Sequence, residues 1–204
     1  MVQPIFVYGQ DVLDMGKVLA VADGSARGVL SPEVKAKVRS SERKVLDIAG
    51  TPASVYGINT GFGILANTKI SEADTRILQH KILQSHSVGV GEPVPRRIAR
   101  LMLITKVHAL AQGYSGVQLR TLERILWHLA EDVIPVVPEK GSVGASGDLA
   151  PLSHLGRYWR NTGFCRWPLD QKKGWRSSMG RNSSWLMLLR RLKGCIIASR
   201  RPIS

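Results

Sequence analysis

Apolar residues recur three and four positions apart through most of the first 156 positions, and several runs are opened by a helix-start signal. Ser31-Pro32-Glu33 pairs an N-cap serine with a proline in the first turn and an acid near the positive end of the helix dipole, and predicts a helix to about Gly50. Ser71-Glu72-Ala73-Asp74 has capping-box spacing, and Ile77, Leu78 and Ile82 are expected on one face of a second helix ending before Gly89. Pro95 opens a third, with Ile98, Leu101, Met102 and Thr105 inward and Gly113 closing it, and Leu122, Ile125, Leu126 and Leu129 mark a fourth. These stripes describe a helical core, so the fold class is mainly α, with loops between the helices.

At 204 residues and 44% hydrophobic content the chain can bury a core of its own. No run approaches the ~20 apolar residues that span a bilayer, and the start lacks the basic and apolar regions of a secretory signal, so a cytoplasmic location without membrane partners is the expectation. Cys165 and Cys195 have neither metal-ligand spacing nor a disulfide framework, and no metal site is expected. A net charge of +14 raises the question of nucleic acid, but its distribution argues against a specific nucleic-acid partner. Residues 1–156 hold 17 Lys/Arg against 14 Asp/Glu, whereas 157–204 hold 12 against one, together with four of the five Trp and both Cys. The chain therefore divides into a near-neutral helical domain, 1–156, and an aberrant basic tail, 157–204, without visible periodicity. A shifted reading frame gives this kind of composition; a genuine basic domain more often spaces its charges along one face.

Three Gly-rich loops separate the helices: Tyr56 to Gly63, Gly89-Val90-Gly91, and Gly141 to Gly147. Loops held by rigid helices are where sites concentrate. In the last, Asp148 is a plausible N-cap and Pro151 falls in the first turn of another helix, which brings backbone N–H groups beside Ser146. Ser146 is not on a nucleophile elbow, because Gly144 stands two before it but Asp148 two after. Alone, Ala145-Ser146-Gly147 is an ordinary turn.

The longer run Gly-Ser-Val-Gly-Ala-Ser-Gly-Asp-Leu-Ala-Pro-Leu-Ser-His, 141–154, resembles the signature of the histidine and phenylalanine ammonia-lyase family. The resemblance implies that Ala145, Ser146 and Gly147 cyclise autocatalytically into a methylidene-imidazolone (MIO), with no external cofactor. The small residues suit a compressed ring closure between the Gly147 nitrogen and the Ala145 carbonyl. Tyr56-Gly57-Ile58-Asn59-Thr60-Gly61-Phe62-Gly63 is similar to the family's upstream loop, which implies that Tyr56 removes the substrate's β-proton. Asn59 and Gly63 would line the substrate, the glycines allowing close backbone approach. A phenol titrates near ~10, so that role needs surroundings that favour phenolate. Ser85-His86 resembles the pair that histidine-specific members place near the substrate side chain, where a polar ring needs a hydrogen-bonding partner. His80, His108, His128 and His154 lie in helical stretches without metal spacing, so capping or surface roles are expected.

The resemblance runs from about Val7 to Leu155 and implies the N-terminal part of the aromatic ammonia-lyase helical fold. It implies conversion of L-histidine to urocanate and ammonia by a homotetramer with sites shared between subunits. Family members continue for several hundred residues and supply further substrate-binding groups, so the 204-residue chain itself is expected to be truncated and inactive. Two rivals stand beside this reading. One is a phenylalanine or tyrosine ammonia-lyase, or an aminomutase, acting on another aromatic amino acid; the other is a non-enzymatic remnant with a basic tail.

Overall fold

The computed structural model describes residues 2–61, 68, 70, 77, 81–141 and 149–154. The basic tail, the triplet Ala145-Ser146-Gly147, Asp148, Gly63 and the predicted helix start at Ser71 lie outside the described residues.

The chain opens with an arrangement that the helical stripes did not announce. Strand β1 (Ile5–Val7) pairs in parallel with β2 (Arg27–Val29), with Phe6 opposite Gly28, and helix α1 (Met15–Ala22) connects them. Alternation at period two sends Phe6 and Tyr8 into the core and leaves Ile5 outside. A Cβ on Gly28 would clash with Tyr8 Cε2 and lie 2.6 Å from Cζ, so glycine is what lets the phenol lie against the strand. Asp14 caps α1 by accepting the Lys17 N–H at 2.8 Å.

Helix α2 (Pro32–Gly50) begins as the sequence predicts, with the Ser31 hydroxyl accepting the Val34 N–H at 3.2 Å. Only Val34 and Val38 are buried along it, so it lies on the core by a narrow stripe at its first turns. Helix α3 (81–86 among the described residues) buries Ile82 and Leu83. Ile77 is helical but 52% exposed, contrary to the expected shared face with Ile82. Positions five apart lie about 140° apart on an α-helix, so one face cannot hold both.

Helix α4 (Arg96–Ala111) is the centre of the fold. Leu103, Ile104, Val107 and Ala111 are fully buried, and α1, α2 and α5 (Leu119–Ala130) all pack against it. Gly113, at φ +75°, closes the turn after α4 as expected. The link to α5 is tied to α2 by the Gly116 N–H donating to Ser41 Oγ at 3.0 Å.

The segment from Gly89 to Gly91, expected as a loop, enters β3 (Val90–Pro93) instead. It runs antiparallel to β4 (Pro138–Lys140), with Val90 opposite Lys140 and Pro93 opposite Pro138 around an irregular register. A four-residue strand containing Gly and two short of a second Pro carries no alternation to read. β4 leads to Gly141, and the described chain resumes at Leu149 before helix α6 (150–154). Leu149 and Leu152 pack on Ile82 and Leu83, which joins α6 to α3 in a small second cluster.

Candidate active site

The Tyr56 loop is braced from within. Ile58 and Asn59 donate their backbone N–H groups to the Val55 carbonyl at 3.0 and 3.2 Å, and Gly57 takes φ +77°, a conformation that costs other residues energy. Asn59 is only 6% exposed; its Oδ1 accepts the Val55 N–H and its Nδ2 donates to the Ala53 carbonyl, both at 2.8 Å. The carboxamide thus staples the turn that presents Tyr56, a residue 58% exposed. Two further bonds, Gly61 N–H to the Thr68 carbonyl at 3.2 Å and Ile70 N–H to the Asn59 carbonyl at 3.1 Å, fold the following chain back on the turn.

Ser85 and His86 close α3. His86 Nδ1 lies 3.0 Å from the Ile82 carbonyl and 2.9 Å from Ser85 Oγ, while Ser85 donates to the same carbonyl at 3.2 Å. A carbonyl can only accept, so the contact to Ile82 is a hydrogen bond in the tautomer that carries its proton on Nδ1, and that tautomer leaves Nε2 as an acceptor. The helix end therefore holds the tilt of the His86 ring through the contacts at Nδ1.

Just beyond, the Gly89 N–H donates to His154 Nε2 at 2.9 Å. His154 closes the described part of α6, eight positions after Ser146, and Gly89 follows His86 by three. Together with the packing of α3 on Leu149 and Leu152, this bond brings the Ser85-His86 segment against the helix that follows the Ala-Ser-Gly triplet. Sequence reasoning gave His154 a capping or surface role; a partner 65 positions away has no local signature.

The expectation for His108 and His128 is corrected in part. Both are buried, not on the surface. His108 Nδ1 accepts the Gly9 N–H at 3.3 Å and its ring stacks on Phe6, with centroids 5.7 Å apart. Burial lowers its pKa, with Asp11 opposing the shift. His128 Nδ1 lies 3.1 Å from the Val133 carbonyl, a capping contact made from inside the core. Lys106 is also buried on α4, and loss of solvent lowers its ammonium pKa to about 8. Among the described residues, no three His, Cys, Asp or Glu side chains cluster to hold a metal ion, and no helix is long and apolar enough to cross a membrane.

Comparison with known proteins bears on the same segments. The family model described as aromatic amino acid lyase matches residues 13–164, past the composition change at Gly156. A histidine ammonia-lyase of Myxococcus xanthus is 46% identical over 155 residues, covering 76% of this chain and 30% of the relative. Among solved structures, histidine ammonia-lyase from Trypanosoma cruzi superposes with TM-score 0.66 at 32% identity, over 76% of this chain and 29% of that one. Tyrosine aminomutase from Streptomyces globisporus gives TM-score 0.68 at 31% identity, over 76% and 29%. The chain therefore spans less than a third of the length of these relatives.

Proposed function

Because the chain belongs to the aromatic amino acid lyase family, we propose that it carries the N-terminal catalytic segment of an ammonia-lyase converting L-histidine to trans-urocanate and ammonia. The residues present fit the family's prosthetic group. Ala145, Ser146 and Gly147 have the small side chains and the hydroxyl that ring closure and dehydration require, and they fall between β4 and the packed start of α6. When formed, the methylidene-imidazolone supplies an electrophile that no standard side chain offers.

This chain's own groups then divide the remaining work. Tyr56 takes the substrate's β-proton; the Cα–N bond breaks, its electron pair leaves with ammonia, and the Cβ–H pair becomes the new Cα=Cβ bond. His86 accepts the N–H of the substrate imidazole on Nε2, with Ser85 holding the ring from behind. Asn59 acts by fixing the Tyr56 turn, and Gly63 by letting the backbone approach the substrate. The observation that carries the choice of histidine is the anchoring of His86 Nδ1 on the Ile82 carbonyl, because it supports a ring acceptor where the family meets the substrate side chain. A phenyl substrate would leave that acceptor unsatisfied in a desolvated site.

The complete enzyme is proposed to be a cytoplasmic homotetramer, and the basic tail beyond residue 164, where the family match ends, to be foreign to the lyase fold. The test joins residues 1–155 to the remainder of a full-length relative and assays L-histidine, L-phenylalanine and L-tyrosine. Urocanate absorbance from histidine alone supports the reading, and cinnamate or coumarate formation overturns it. The aminomutase likeness makes a β-amino acid product from tyrosine the second outcome to watch.

A further inference from the structure

We propose that His154 is a positioning residue of the candidate active site, holding the Ser85-His86 segment at a fixed distance from the helix that follows Ala145-Ser146-Gly147. The inference rests on the reading above, in which those two segments face one substrate. Its physical basis is the 2.9 Å bond from the Gly89 N–H to His154 Nε2. That bond sits in a packed junction: a Cβ built on Gly89 would lie 2.9 Å from Nε2 and 3.2 Å from Pro138 Cβ and Cγ. The residue before β3, β4 and α6 therefore meet at a glycine, where any side chain would have to displace the His154 ring and press on Pro138.

The rest of α6 is equally constrained. Ala150 and Ser153 are buried, the Ser153 hydroxyl donates to the Leu149 carbonyl at 3.0 Å, and Leu149 and Leu152 pack on Ile82 and Leu83. His86 is thus bracketed, by an apolar contact to α6 on its N-terminal side and by the Gly89–His154 bond on its C-terminal side. The span from His86 to Gly89 is at most about 10 Å of extended chain, too short to absorb a shift of Gly89 without moving the helix end. An accepting Nε2 also requires the proton on Nδ1, so the tie exists only with a neutral ring.

Two measurements test this. In the 204-residue chain, hydrogen exchange at the Gly89 amide is expected to quicken roughly 2- to 10-fold in His154→Leu, the loss of one part-buried hydrogen bond. It should return toward the wild-type rate in His154→Gln, whose side-chain oxygen reaches about where Nε2 stands. Unchanged exchange in His154→Leu overturns the proposal.

In the completed enzyme, with residues 1–155 joined to the rest of a relative, His154→Leu should lower kcat/KM for L-histidine about 10- to 100-fold, as expected for a misplaced substrate-orienting group. His154→Gln should restore most of it. The loss in His86→Ala should not deepen when His154→Leu is added, because one acts through the other. Additive losses, as from general destabilisation, overturn the positioning role. If the completed wild-type enzyme neither forms its prosthetic group nor turns over any aromatic amino acid, the functional reading fails and the positioning role falls with it, while the exchange data still decide the contact.

Discussion

Replacing Asn59 with alanine should unfasten the Tyr56 turn while leaving the helical core intact. Two hydrogen bonds of 2.8 Å are lost, from the Val55 N–H and to the Ala53 carbonyl. Each neutral bond contributes about 0.5–1.5 kcal/mol net, so the turn loses ~1–3 kcal/mol. Ala53 is exposed and Val55 only half-buried, so water re-satisfies part of what is lost and the lower half of that range is expected. The main hydrophobic cluster around Phe6 and Leu103 includes no residue of the turn, so global stability should change little. The assay is hydrogen exchange at the Val55 amide, which should quicken roughly 5- to 30-fold, with exchange in α4 unaltered. In the completed enzyme the same substitution should lower kcat more than it raises KM, since the proposed base is displaced and the ring-binding group is not. Val55 exchange within about twofold of wild type would refute the claim that the carboxamide holds this turn.

Other outcomes follow from the same structure. Tyr56→Phe in the completed enzyme should keep the fold and the prosthetic group but lose ~100- to 10,000-fold in rate, and near-normal turnover would reduce Tyr56 to a surface ring. Leu103→Ala, at a fully buried position of α4, should cost ~2–5 kcal/mol in denaturant unfolding. His108 is held with a lowered pKa in the folded chain, so the unfolded state binds the proton first. The neutral ring's contribution is therefore complete above the unfolded value of ~6.5 and is lost as pH falls from there through the lowered folded value; unfolding midpoints against pH should show the loss, and His108→Asn should flatten it. The purified 204-residue chain should show no turnover with L-histidine, and translation of its gene in the two other frames beyond the composition change should recover charge-balanced helical sequence.

What the sequence made legible was what local chemistry encodes. Ser31-Pro32-Glu33 specified the start of α2, and the spacing from Ile98 to Thr105 and from Leu122 to Leu129 placed α4 and α5. The stripe underestimated α4, however: a helix enclosed on several sides buries Lys106 and His108 as well as its apolar face, and no amphipathic pattern announces that. The strands were missed because three or four residues give period two no room, and β1 pairs with β2 only after α1 has intervened. In the site, the Tyr56 loop was visible as a motif and its internal bracing was not. Asn59 reads in sequence as a residue lining the substrate, and nothing local announces that its carboxamide also ties the backbone of its own turn. His154 and Gly89 are ordinary residues until the fold sets them 2.9 Å apart.

The central claim, that Ala145, Ser146 and Gly147 become the electrophile of a histidine-deaminating site, is tested most directly by the mass of the peptide spanning residues 141–154. The peptide is taken from the completed enzyme under conditions where turnover of L-histidine is measured on the same sample. Ring closure and serine dehydration each release one water, so the account predicts a mass lower by two waters in active protein, and the full sequence mass in an inactive Ser146→Ala variant. A peptide of unmodified mass from protein that still converts histidine to urocanate would contradict it.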